Sequence, residues 1–117
     1  MDQSIIQNIV SIRRNIPDQV TLIAVTKNVD LDRIRLAIDS GIRDIGENRI
    51  QEAESKWKAL QNACLTWHLI GHLQKNKVAK AVCIFDWVHS VDSLALLEQL
   101  EKAASAQKKP LKVLLQV

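Results

Sequence analysis

Apolar positions along this chain alternate between helical and strand-like spacing. Over residues 4–16, Ile5, Ile9, Ile12 and Ile16 recur on one helical stripe, and Pro17 closes the segment. The run Val20-Thr21-Leu22-Ile23-Ala24-Val25-Thr26 then reads as a short strand covered on both faces. Asp30 is placed to cap the next helix, whose inward face holds Leu31, Ile34 and Ile38 and whose C-terminal stop is Gly41. Asp44-Ile45-Gly46-Glu47 predicts a second strand. The helix after it carries Ile50, Ala53, Trp57 and Leu60, with Glu52/Lys56 and Glu54/Lys58 as surface i,i+4 pairs.

The alternation continues to the last residue. Leu65–Ile70 predicts a third strand and 74–83 a short basic helix. Phe85–His89 predicts a fourth strand, followed by a helix carrying Leu94, Leu97 and Leu100, and Leu111–Val117 a fifth strand. Strand and helix recurring about every 20–25 residues is the signature of βαβ units on a parallel sheet. No GxGxxG follows the first strand, and the loops are short, which favours a closed (β/α) barrel over an open doubly wound sheet. A complete (β/α)8 TIM barrel needs roughly 250 residues. The 117 residues therefore read as its N-terminal half, an N-terminal helix and about four and a half βα units. On this reading the C-terminal half is absent, the last strand is a bare edge, and the chain alone is expected to be poorly stable.

Composition narrows the function classes. Net charge is +3, far from the concentrated basic surface of a nucleic-acid binder, so no nucleic acid is expected as partner. No apolar run reaches the roughly 18–20 residues of a membrane span, and no basic, then apolar leader opens the chain. A cytoplasmic protein without membrane contact is expected. Cys64 and Cys83 have no CxxC spacing and read as free buried thiols in a reducing compartment.

In a parallel barrel the chemistry sits at the C-terminal ends of the strands. Those ends are Lys27, Glu47-Asn48, Gly71-His72 and His89-Ser90. Lys27 follows its strand without an intervening turn residue, so its amine points into the barrel mouth. Partial desolvation there would lower its pKa, and a neutral amine attacks an aldehyde, which makes a Schiff-base lysine one reading. A strand-end lysine that reaches solvent or pairs with Glu47 is the other. Asn48 either binds a ligand or caps a helix starting at Arg49. Ser90 either contacts a ligand or, with Asp92, shapes the loop into the next helix. His68 and His72 have a zinc-like spacing only on a helix, and here they lie on a strand with no third ligand near, so no metal is expected. Lys75, Lys77 and Lys80 read as a solvated helix face.

Five segments carry a family resemblance. Leu22-Ile23-Ala24-Val25-Thr26-Lys27, Gly46-Glu47-Asn48-Arg49-Ile50-Gln51-Glu52 and Trp67-His68-Leu69-Ile70-Gly71-His72-Leu73-Gln74-Lys75-Asn76-Lys77 resemble motifs of the pyridoxal 5′-phosphate (PLP) homeostasis proteins. His89-Ser90-Val91-Asp92-Ser93 and Val113-Leu114-Leu115-Gln116-Val117 follow in the family's order. Thr26 stands where the family usually has Ser, and Arg49 where it usually has Tyr.

The resemblance implies a barrel like the N-terminal domain of alanine racemases, with PLP as cofactor, held as an aldimine on Lys27 and lined by Asn48 and Ser90. It implies a role in PLP homeostasis without a defined catalytic reaction. PLP-dependent apoenzymes are the implied recipients, the full-length form is expected to be monomeric, and the family's phosphate-binding motifs belong to its second half. A PLP-dependent amino-acid racemase is the first alternative, disfavoured because two-base racemisation commonly uses a Tyr and this chain has none. A non-catalytic half-barrel that assembles with another half is the second.

Overall fold

The structure is a computed structural model and describes residues 2–117. Its elements are α1 (Asp2–Arg14), β1 (Ile23–Val25), α2 (Leu31–Asp39), β2 (Asp44–Glu47), α3 (Ile50–Ala59), β3 (Thr66–Leu69), a 3₁₀ turn (Lys75–Lys77), α4 (Val78–Ile84), β4 (Trp87–Val91), α5 (Leu94–Ala106) and β5 (Lys112–Leu115). All strand pairs are parallel and the sheet order is β1-β2-β3-β4-β5, with no reversal. Sequential right-handed crossovers put every connecting helix on the same face. This is the geometry of a curling barrel wall, the N-terminal part of a (β/α)8 barrel, and not of a doubly wound sheet.

Local chemistry explains the boundaries. Asp30 accepts from the Arg33 N–H and caps α2. Gly41, at φ +102°, ends α2 in a Schellman turn in which Ile42 N–H donates to Ala37 and Gly41 N–H to Ile38. Ser93 caps α5 through Leu96 N–H. The core lies between sheet and helices, where Ile34, Ile45, Trp67, Leu69, Phe85 and Leu100 are buried.

Strand alternation divides the sheet. Ala24, Thr26, Ile45, Glu47, Trp67, Leu69 and Val88 face the helices, while Ile23, Val25, Asp44, Gly46, His68, Trp87 and His89 face the barrel interior. Gly46 lies beneath Ile23 and Ile70, and a Cβ at this position would be 3.0 Å from Ile23 Cγ2.

Several expectations are corrected. The first strand is three residues long and is not covered on both faces: Val25 is 51% exposed, because its inner side has no opposing layer. β4 begins two residues later than predicted, since Phe85 caps α4 and packs into the core. Leu94 is 70% exposed, and Leu96 takes its place inside α5. Ile12 is also exposed. Glu54 pairs with Lys80 across α3 and α4 and not with Lys58. Cys64 and Cys83 are free but exposed, not buried. Among the described residues no helix is long and apolar enough to cross a membrane.

Candidate functional site

The C-terminal rim of the sheet gathers the predicted residues. The β1–β2 register pairs Ile23 with Asp44 and Val25 with Gly46, and Lys27 and Asn48 follow the C-terminal ends of these two strands. Lys27 lies in the turn after β1, which is closed by the Val29 N–H donating to the Thr26 carbonyl at 3.1 Å. Lys27 is exposed and forms no ion pair or hydrogen bond among the described residues. Of the readings given to Lys27, the side chain reaches solvent and is not desolvated in this chain, and it does not pair with Glu47, which faces the helices.

Asn48 does not cap α3. The helix starts at Ile50, its N-cap is Arg49, and no side chain caps it. The half-buried Asn48 carboxamide makes no hydrogen bond among the described residues. Its main chain touches the next loop, where a Cβ at Gly71 would collide with the Asn48 carbonyl oxygen and lie 2.9 Å from its Cα. Only glycine permits this approach. Ser90 is buried and donates from Oγ to the Gly71 carbonyl at 2.7 Å. A bulge in β4 between Val88 and Val91 sets Ser90 toward that loop. Ser90, Gly71 and Asn48 thus tie together the loops after β4, β3 and β2. A 660 Å³ cleft beside them is lined by Asn48, Arg49, Gly71, His72 and Lys77. Asp92 plays no part in capping the next helix, since Ser93 does that.

This rim fits a small carbonyl cofactor such as PLP. It offers the Lys27 amine after β1, the Asn48 carboxamide, and an open cleft along the loops after β2 and β3. The residues present here would hold the reactive end of the cofactor.

Two polar clusters lie beneath the rim, and sequence reasoning missed both. On the helix side, the Lys56 ammonium donates to Glu47 Oε2 at 2.9 Å, Glu52 Oε2 at 2.8 Å and the Thr26 carbonyl at 2.5 Å. Thr26 Oγ1 also donates to Glu47 Oε2. Glu47 Oε1 is buried without a partner among the described residues. The Glu52 carboxyl is held below its usual value, chiefly by the Lys56 hydrogen bond and then by the Asn28 N–H. The missed signal was parity, since Glu47 shares the face of buried Ile45.

On the interior side, Asp44, His68 and His89 form a chain. Asp44 only accepts, so His68 donates from Nε2 to Asp44 Oδ1 at 2.8 Å. His68 Nδ1 and His89 Nε2 lie 3.0 Å apart, within hydrogen-bond distance, with the donor set by the tautomers. His68 stacks on Trp87, over which Lys112 lies at 5.2 Å. His72 is exposed and apart from His68, and no metal-binding group of His, Cys, Asp or Glu occurs among the described residues.

Burial, and next the charge of His68, lowers the pKa of His89 below 6.5. The unfolded chain therefore takes up a proton at His89 that the folded chain resists. That contribution to stability is at its full value above the unfolded pKa and declines as the solution is acidified through it. Urea melts from about pH 8 to about pH 5 should show stability falling with acidification, and His89→Gln should flatten that slope. An equal slope in His89→Gln would assign the dependence to other groups.

The family described as "Alanine racemase, N-terminal domain" matches residues 2–117. The pyridoxal phosphate homeostasis protein of Synechocystis is 45% identical over 103 residues, 87% of this chain and 47% of the relative. That of Pseudomonas aeruginosa is 43% identical over 101 residues, 86% of this chain and 44% of the relative. The structure of PipY from Synechococcus elongatus, with PLP bound, superposes with a TM-score of 0.93 at 48% identity, covering 97% of this chain and 54% of that one. The chain spans about half the length of the curated relatives it matches.

Proposed function

We propose, since this chain belongs to the alanine racemase N-terminal domain family, that it binds PLP through Lys27 and serves PLP homeostasis as a carrier without a reaction of its own. The observation that carries the reading is Lys27 itself: an exposed lysine in the turn after β1, without an ion pair or hydrogen bond among the described residues. PLP bound to PipY, a protein 48% identical to this chain, supports the choice of cofactor. The relatives' names support the role in homeostasis.

PLP, when bound, supplies an aldehyde that condenses with an amine and releases water. Lys27 presents that amine from the turn after β1. Asn48 offers its carboxamide to a polar ring substituent. Ser90 acts one step back, holding the Gly71 carbonyl so that the loop stays against Asn48. Phosphate contacts fall outside these residues, in keeping with the family's second-half motifs. PLP-dependent apoenzymes are the recipients we infer, in the cytoplasm, where the exposed thiols Cys64 and Cys83 stay reduced.

The test compares the chain with equimolar free PLP for amino-acid-dependent exchange of the α-hydrogen with solvent deuterium. A carrier should accelerate this exchange by less than about tenfold. Strong enantiospecific exchange that disappears in Lys27→Ala would mark an enzyme instead.

A further inference from the structure

The residues on either side of Lys27 are held from behind by α3. The carbonyl of Thr26 belongs to the peptide unit preceding the Lys27 Cα, and it accepts from Lys56 Nζ at 2.5 Å. The N–H of Asn28 belongs to the peptide unit following that Cα, and it donates to Glu52 Oε2 at 2.6 Å. Glu52 Oε2 is in turn bound by Lys56. Both peptide planes that define φ and ψ of Lys27 are therefore anchored to one carboxylate–ammonium pair. Asn28 itself sits at φ +59°, in the left-handed region that asparagine tolerates best among non-glycine residues. The Asn28 N–H to Glu52 bond holds it there.

We propose that Lys56 and Glu52, backed by Glu47, are positioning residues that set the direction of the Lys27 side chain; this rests on the reading of Lys27 as the PLP-binding lysine. Three observations converge. Lys56 has three N–H donors and they meet three acceptors, Thr26 O, Glu47 Oε2 and Glu52 Oε2, so the ammonium is fully committed. Lys56 is 7% exposed and Glu47 0%. A buried ion cluster is often no more stable than apolar residues of the same size, so stability alone gives no reason to place one here. Its contacts with main chain go to Thr26 and Asn28, the immediate neighbours of Lys27. The saturated Lys56 is also withdrawn from any carbonyl compound at the rim, which leaves Lys27 as the free amine of the two.

Positioning matters because a reacting amine displaced by about 1 Å can lose up to about a hundredfold in rate. The experiment uses the full chain with Glu52→Leu, Glu52→Gln and Glu52→Asp. Hydrogen exchange at the Asn28 amide is read without cofactor, and borohydride-fixed pyridoxyl labelling at Lys27 is read with PLP. Glu52→Leu should raise Asn28 exchange and lower the labelling rate, each by about tenfold, with the amides of β2–β4 unchanged. Glu52→Gln loses the ion pair to Lys56 but keeps an oxygen for Asn28 N–H. It should keep Asn28 exchange near that of wild type and restore most of the labelling. Glu52→Asp, one methylene short of Asn28, should behave like Glu52→Leu, and it decides the matter if the leucine variant does not fold. Wild-type labelling rates in folded Glu52→Leu and Glu52→Asp would overturn the positioning role while leaving Lys27 as the binding lysine. A wild-type label on some other lysine would overturn the reading of Lys27 itself.

Discussion

Glu47→Leu is expected to lower the unfolding free energy by about 3 kcal/mol, the lower end of the roughly 3–5 kcal/mol for removing one partner of a buried ion pair. Glu47 is fully buried, and its Oε2 accepts from Lys56 Nζ and Thr26 Oγ1. Leucine would leave the Lys56 ammonium one acceptor short in a site with little access to water. Glu52 and the Thr26 carbonyl still accept from it, which is why the lower end applies. A domain of this kind has about 5–15 kcal/mol in all, so the loss is a large fraction. The double variant Glu47→Leu/Lys56→Met should recover most of it, because an apolar pair of similar volume spares the desolvation of two charges. Urea unfolding of the four chains in this cycle measures the coupling directly. A single-variant loss under about 1 kcal/mol would mean that water reaches Lys56 and the pair is not buried in solution.

The parallel order of strands and helices was legible because apolar periodicity changes cleanly between elements. Asp30 and Gly41 marked the ends of α2 through chemistry that depends only on neighbouring residues. Edges of elements were less legible wherever an apolar residue serves a purpose other than its element's stripe. Phe85 looks like the first residue of a strand, yet it closes α4 and fills the core. Leu94 fits the helical stripe of α5 by type, but its position at the first turn leaves it in solvent.

The candidate site was half legible. Lys27, Asn48 and Ser90 fall at strand ends, which the alternation of elements locates, and the structure sets them along one rim. The ion cluster was not legible, because Glu52 and Lys56 at i,i+4 look the same on a wet helix face as on a buried one. Only the tertiary placement of Glu47 opposite α3 distinguishes them. The Asp44–His68–His89 chain is non-local for the same reason: its members come from three strands and meet only when the sheet forms. Cys64 and Cys83 were misjudged because cysteine is usually buried, whereas here both lie on the outer ends of helices and loops.

Loss of Lys27 is expected to have the largest effect on function. With the amine gone, the covalent link to PLP through the turn after β1 is lost, and Asn48 offers only hydrogen bonds. Retention of PLP through dialysis should fall by at least about a hundredfold in Lys27→Ala, while the fold persists because Lys27 is exposed and makes no stabilising contact. The measurement that bears most directly on the account is borohydride reduction of the chain with PLP, followed by peptide mapping of wild type and Lys27→Ala. One pyridoxyl group on Lys27, absent from Lys27→Ala, is the result expected. A label spread over Lys75, Lys77 and Lys80, or one that persists undiminished in Lys27→Ala, would contradict it.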